Sequence, residues 1–333
     1  VITRKEEGLT KPPTAAQVIV VTGASSGVGR AVARAFGARH AKVALVARNM
    51  DALSVAAEEI RRAGGDTLVL PTDVADADAV ERAAAAVEKH WGRIDTWVNV
   101  AMVTVLARVK DTTAAEYRRV TEVAYLGYVH GTLAALRRML PRDEGTIVQV
   151  GSALAYRSIP LQSAYCAAKA AVRGFTDSLR SELLHDGSHV RLTHVHLPAV
   201  NTPQAERQRN KMPKQQPVPP LFSPETIAEA ILWAAEHAPR EMLVGGPTLK
   251  AVWAQKFIPG FFDRYLAKAA WQPQFVDKPN DQQRDILFET MPGDPGAHGP
   301  YRDRERGPDV QLRLRTGLSA FSALPAPSDP EVT

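Results

Sequence analysis

Over the first 250 residues, short runs of β-branched and aliphatic residues alternate with longer, alanine-rich stretches. The runs lie at Val18 to Val21, Val43 to Ala47, Thr67 to Leu70, Thr96 to Val100, Thr146 to Val150, Val190 to Leu197 and Met242 to Val244. Most are apolar on both faces, as a parallel strand covered by helices on two sides should be. The stretches between them have helical length: Val28 to Arg39, Asp51 to Ala63, Ala77 to Trp91, Thr113 to Leu140, Ser163 to His185 and Pro224 to His237. This alternation predicts a doubly wound, Rossmann-type α/β fold on a seven-stranded parallel sheet.

Two stretches break the rhythm. Asn201 to Phe222 is polar and rich in proline, and a loop of that length in a compact domain is commonly a lid. From Lys250 onward apolar residues are scattered (Trp253, Phe257, Phe261, Tyr265, Trp271) and then give way to proline, glycine and charge. The expected partition is an arm over 1–16, a main domain over 17–249 with its lid near 201–222, and a C-terminal extension over 250–333. The part of the extension near Lys250 to Trp271 is expected to pack at the mouth of a site. Met291 to Thr333 lacks the apolar content to fold alone and is expected to wrap loosely or stay disordered.

Composition narrows the classes. At 333 residues with 45% hydrophobic and 23% charged residues, the chain has enough apolar material for a large core. The lone Cys166 excludes an intramolecular disulfide and a cysteine-rich zinc site. Its 41 basic and 36 acidic residues are interleaved, which argues for solvated surface rather than a nucleic-acid partner. No apolar run approaches the roughly 18 residues of a membrane span. The charged Val1 to Lys11 does not read as a secretory signal, so a cytoplasmic location is expected.

Chemistry concentrates in two places. The first predicted strand runs into Thr22-Gly23-Ala24-Ser25-Ser26-Gly27-Val28-Gly29 and then a helix. Glycines there let backbone approach a pyrophosphate, and the helix N-terminus offers free N–H groups and positive dipole to the anion. Alone, such a turn is weak evidence. The second place is Ser152 with Tyr165 and Lys169: the latter two are four apart and share a helix face, where an ammonium can lower the phenol's pKa. Ser152 ends the predicted Thr146 to Val150 strand, at the sheet edge where open α/β folds bind ligands.

On the pattern T-G-x3-G-x-G, the serine and Y-x3-K, the chain from about Gln17 to Pro247 resembles the short-chain dehydrogenase/reductase family. The resemblance implies that Thr22, Gly23, Ser25, Ser26, Gly27, Val28 and Gly29 form the cofactor phosphate loop. It further implies that Asp73 and Val74 flank the adenine, that Asn99 and Ala101 belong to the motif after the fourth strand, and that Pro198, Val200 and Thr202 hold the nicotinamide carboxamide. Ser152 would position a substrate oxygen, Tyr165 would exchange a proton with it, and Lys169 would bind the nicotinamide ribose and keep Tyr165 acidic. The substrate would be a small-molecule carbonyl or alcohol, and association would run through the two long helices as a homodimer or homotetramer. At the end of the second strand Ala47 offers no carboxylate to ribose hydroxyls, while Arg48 offers a guanidinium to a 2′-phosphate, so NADP(H) is expected over NAD(H). Arg30 is expected to add a second charge.

The chain also departs from the family pattern. Val100 and Met102 stand where the motif has asparagine and glycine, and Ala199 replaces a glycine. Ala124 occupies the position of an asparagine that holds a lysine-bound water for proton relay. Either the relay is rebuilt, or turnover is slow, or the chain is a cofactor-binding sensor or scaffold on an enzyme fold. Imine reduction and epimerisation on the same fold remain alternatives. His194 and His196 read as strand histidines rather than a metal pair, Cys166 as a packed apolar residue, and Arg207, Arg209, Lys211 and Lys214 as a solvated basic face.

Overall fold

The computed structural model describes residues 17–317 apart from residue 277. The expected arm over 1–16 and the last stretch of the expected tail, 318–333, lie outside the described residues. Seven parallel strands form one sheet: β1 (Val18–Thr22), β2 (Lys42–Ala47), β3 (Asp66–Pro71), β4 (Thr96–Asn99), β5 (Thr146–Ser152), β6 (Arg191–Leu197) and β7 (Glu241–Leu243). Their spatial order is β7-β6-β5-β4-β1-β2-β3, so the direction of winding reverses between β1 and β4. Ligands of open α/β sheets bind beyond the carboxyl ends of the strands at such a switch point.

Helices α1 (Gly27–Gly37), α2 (Met50–Arg62) and α3 (Ala77–Trp91) connect the first strands. α2 and α3 start where Asn49 and Asp76 accept hydrogen bonds from the N–H groups of Ala52 and Ala79. α6 (Ser163–His185) and α7 (Pro224–His237) coincide with the helices predicted from pattern. The single long helix predicted over Thr113 to Leu140 is divided. Thr113 and Glu116 form a capping box that opens α4 (Ala114–Thr121), a π turn follows over Glu122–Leu126, and α5 (Gly127–Met139) completes it. Glycine makes the close packing possible here: a Cβ on Gly131 would sit 2.3 Å from Asn99 Oδ1, and one on Gly127 would sit 2.7 Å from Val74.

The lid stretch is held rather than free. Arg209–Asn210 pairs in parallel with Val105–Leu106, and Leu221–Phe222 pairs in parallel with Glu305–Arg306. Its basic residues are not a solvated run: buried Glu116 lies 3.2 Å from Arg209 and 2.7 Å from Lys211, and Asp285 lies 2.8 Å from Arg209. Lys211, the Thr113 N–H and Arg209 hold the Glu116 carboxyl below its ordinary value against the opposing effect of burial.

Beyond the sheet, α8 (Gly246–Phe257) and α9 (Pro259–Ala269) form a helical hairpin that Arg157 ties down through Gln255 and Asp263. The chain then runs back across the carboxyl edge of the sheet to α10 (Val310–Thr316). This differs from the expectation of a loose or disordered stretch after Met291. Polar anchors replace the missing apolar content: Arg30 bonds Asp294, Gly27 N donates to Gly296 O at 3.1 Å, and Asn201 Nδ2 donates to Gly299 O at 3.1 Å. Among the described residues no helix is long and apolar enough to cross a membrane.

Candidate active site

At the end of β1 the chain turns through Gly23 (φ +69°) and Gly27 (φ +55°) into α1. A Cβ on Gly23 would lie 2.8 Å from the Ala101 backbone, and one on Gly29 would lie 2.2 Å from Gly23 O, so only glycine allows this closure. The first-turn N–H groups of α1 have no intrahelical acceptor, the arrangement by which helix N-termini in general receive anions. Gly27 N is taken by Gly296 O, while Val28 and Gly29 follow it along the cleft wall.

The cleft at the switch point gathers most of the residues singled out in the sequence. Gly23, Ser25, Ser26, Gly27, Val28 and Gly29 form one wall, with Arg48, Asp73 and Val74 beyond them. Ala101, Ser152, Tyr165, Lys169, Pro198, Val200 and Thr202 also line it, with Thr202 directly against Gly27. Three residues lie behind it. Thr22 Oγ1 accepts from the backbone N–H groups of Val100 and Ala101 at 3.0 and 3.2 Å, bracing β1 against the exit of β4. Asn99 is buried in a polar knot, accepting from Trp97 Nε1 at 2.8 Å and donating to Gln149 Oε1 at 3.0 Å. Ala124 is fully buried in the π turn among core residues.

Tyr165 and Lys169 project from one face of α6 toward the end of β5. Lys169 Nζ lies 5.7 Å from the centre of the Tyr165 ring. It donates to Tyr128 Oη at 2.6 Å and to Val150 O at 2.8 Å. Burial pushes the Tyr165 phenol up to about 12, with a hydrogen bond from Ser152 working against that rise. The expected lowering by Lys169 is absent for a physical reason: burial pulls the Lys169 ammonium down to about 7, weakening the charge that would do it. The phenol is therefore protonated at neutral pH, the form required of a proton donor.

Behind Ser152, His196 Nδ1 lies 3.1 Å from Ser152 O and His196 Nε2 lies 2.8 Å from Glu241 Oε1. His194 and His196 have ring centres 4.0 Å apart, and burial holds His194 well below its ordinary value, hence neutral. Among the described residues no three potential ligands gather around a metal position. The Cys166 thiol is buried, and burial pushes it up, which keeps it a thiol.

Arg48 stands at the expected place, just after β2, but its partners carry no sequence signal. Its guanidinium donates to Ile286 O at 2.5 Å and Phe288 O at 3.0 Å, while Arg119 donates to Leu287 O at 2.9 Å and pairs with Asp73 at 2.5 Å. The returning segment thus closes one side of the cleft, adding Ile286, Thr290, Met291 and Pro295 to its lining. No motif marks those positions, because backbone carbonyls make the contacts. Arg30 does not supply the second charge: it is 1% exposed and clamped between Glu59 and Asp294.

Residues 17–213 match the family model for short chain dehydrogenases. An uncharacterized oxidoreductase, YxnA of Bacillus subtilis (strain 168), is 32% identical over 320 residues, covering 92% of this chain and 90% of the relative. The chain belongs to the short-chain dehydrogenase/reductase family. Among solved structures, a metagenomic short-chain oxidoreductase in complex with NADP is 28% identical, with a TM-score of 0.59 over 68% of this chain and 96% of that one. An alcohol dehydrogenase from the archaeon Thermococcus sibiricus, complexed with 5-hydroxy-NADP, is 27% identical with a TM-score of 0.60 over 69% and 96%. The alignment to the Bacillus protein takes in 92% of this chain, while the solved structures match about two thirds of it.

Proposed function

We propose that the chain is an NADP(H)-dependent oxidoreductase that interconverts a small-molecule carbonyl and a secondary alcohol. The observation that carries this reading is the convergence of Ser152, Tyr165 and Lys169 on the floor of a cleft walled by the glycine turn. The glycine closure supplies backbone for a pyrophosphate, Asp73 and Val74 flank the adenine side, and Pro198, Val200 and Thr202 face the nicotinamide side. Bound nicotinamide supplies or accepts the hydride at the substrate carbon. Ser152 orients the substrate oxygen by hydrogen bonding, and Tyr165 donates its proton to that oxygen in the reducing direction. Lys169 holds the ribose. A pure binding protein has no need of a buried tyrosine and lysine at this spacing, which favours the enzyme over the sensor.

The preference for NADP(H) rests on Arg48, on the lack of a carboxylate at Ala47, and on the NADP complexes of the two similar structures. Fluorescence titration with NADPH and NADH tests it. NADPH is expected to bind at least about tenfold more tightly, and Arg48→Ala to weaken NADPH while leaving NADH nearly unchanged. Equal binding of the two in the parent would refute the preference.

A further inference from the structure

Tyr128 stands four residues after Ala124, one helical turn further along the same helix and just beyond the π turn. Gly127 N–H reaches back five residues to Glu122 O, and the extra residue in that turn sets the rotation of the helix that follows. Tyr128 is 1% exposed, its ring centre lies 4.3 Å from Lys169 Nζ, and its Oη donates to Val150 O at 2.9 Å while accepting from Nζ. Phenol, ammonium and the Val150 carbonyl therefore close a three-membered ring of hydrogen bonds.

We propose that Tyr128 is the positioning residue for Lys169, fixing its ammonium in a shell that the alanine at 124 cannot build. An ammonium has three N–H groups. Tyr128 and Val150 take two, leaving one for the cleft that Lys169 lines. Tyr128 acts through Lys169 rather than as an acid or base itself, because burial and the nearby Tyr165 push its phenol well above its ordinary value. Lys169 also lies near Tyr165 on α6, acts on the neutral His194 on β6, and shares the cleft with Ser152 on β5. Among these, Tyr128 Oη is the side-chain oxygen in hydrogen-bond contact with Nζ.

This assignment rests on the cofactor reading above, in which charged Lys169 holds the ribose. The test is NADPH binding to the full-length chain, titrated by fluorescence across pH, for the parent, Tyr128→Phe, Lys169→Met and the double variant. Parent affinity is expected to fall as Lys169 loses its proton near neutrality. Tyr128→Phe removes an acceptor from the ammonium, so the fall moves to lower pH by about half to one unit, or roughly 3- to 10-fold in affinity at pH 8. In Lys169→Met the pH-dependent fall disappears, and adding Tyr128→Phe changes affinity no further. An unshifted pH midpoint in Tyr128→Phe overturns the assignment, as does an equal effect of Tyr128→Phe with and without Lys169. A merely structural tyrosine would lower the melting temperature and leave the midpoint in place. A parent that binds no NADPH at any pH overturns the cofactor reading and this assignment together.

Discussion

Burial takes the Lys169 ammonium from its ordinary 10.5 down to about 7, so the protein carries an unfavourable residue at its site. The sign of the pH effect follows from where each state holds the proton. At and below about pH 7 both folded and unfolded chains are charged and the penalty is complete. Between about 7 and 10.5 the unfolded chain binds the proton more tightly, so the folded state gains stability as pH rises. At about 1.4 kcal/mol per unit, the penalty is on the order of a few kcal/mol. Lys169→Met is therefore expected to raise the melting temperature without cofactor, most at about pH 6.5, with the gain shrinking by about pH 9, as differential scanning fluorimetry would read. A gain of the same size at both values would show that the ammonium is not destabilised by burial. The same substitution should weaken NADPH, so stability and binding would move in opposite directions.

At the scale of elements, the contact between α5 and β4 depends on the bare Cα of Gly131, against which Asn99, Trp97 and Gln149 knit their hydrogen bonds. Gly131→Ala should destabilise the fold by roughly 1–3 kcal/mol through overpacking, measurable by urea unfolding. An unchanged midpoint would mean that helix and strand are not held at this distance. The strands, most helices and the glycine turn were legible in the sequence because each follows from local periodicity or from backbone requirements. The division of the Thr113 to Leu140 helix was not, since a π turn leaves the apolar pattern almost intact. Ala124 falls in the motif register, whereas the side chain that touches Lys169 sits one turn later at Tyr128. Thr22 and Asn99 carry family motif positions, yet the structure uses them to brace strand ends behind the cleft.

The whole molecule is closed by a segment whose composition promised little. Residues from Asp285 to Ala297 are held by Arg30 on α1, Arg119 on α4 and Arg48 just after β2, through carbonyls and Asp294. Charge-assisted bonds of this kind do not need an apolar stripe, which is why hydrophobic pattern missed them. Removing residues 285–333 is expected to lower the melting temperature and to weaken NADPH by about tenfold, as Arg48 loses its backbone partners and the cleft loses a wall. Unchanged affinity in that truncation would show the segment to be a bystander. The proposed reduction consumes NADPH with Tyr165 as its proton donor. Its most direct test is to follow NADPH oxidation with a panel of aldehydes and ketones for the parent and for Tyr165→Phe at matched cofactor occupancy. The parent should turn over at least one carbonyl, and Tyr165→Phe should be slower by about 10²-fold or more with NADPH affinity within a few-fold. Parent-like turnover in Tyr165→Phe would contradict the account.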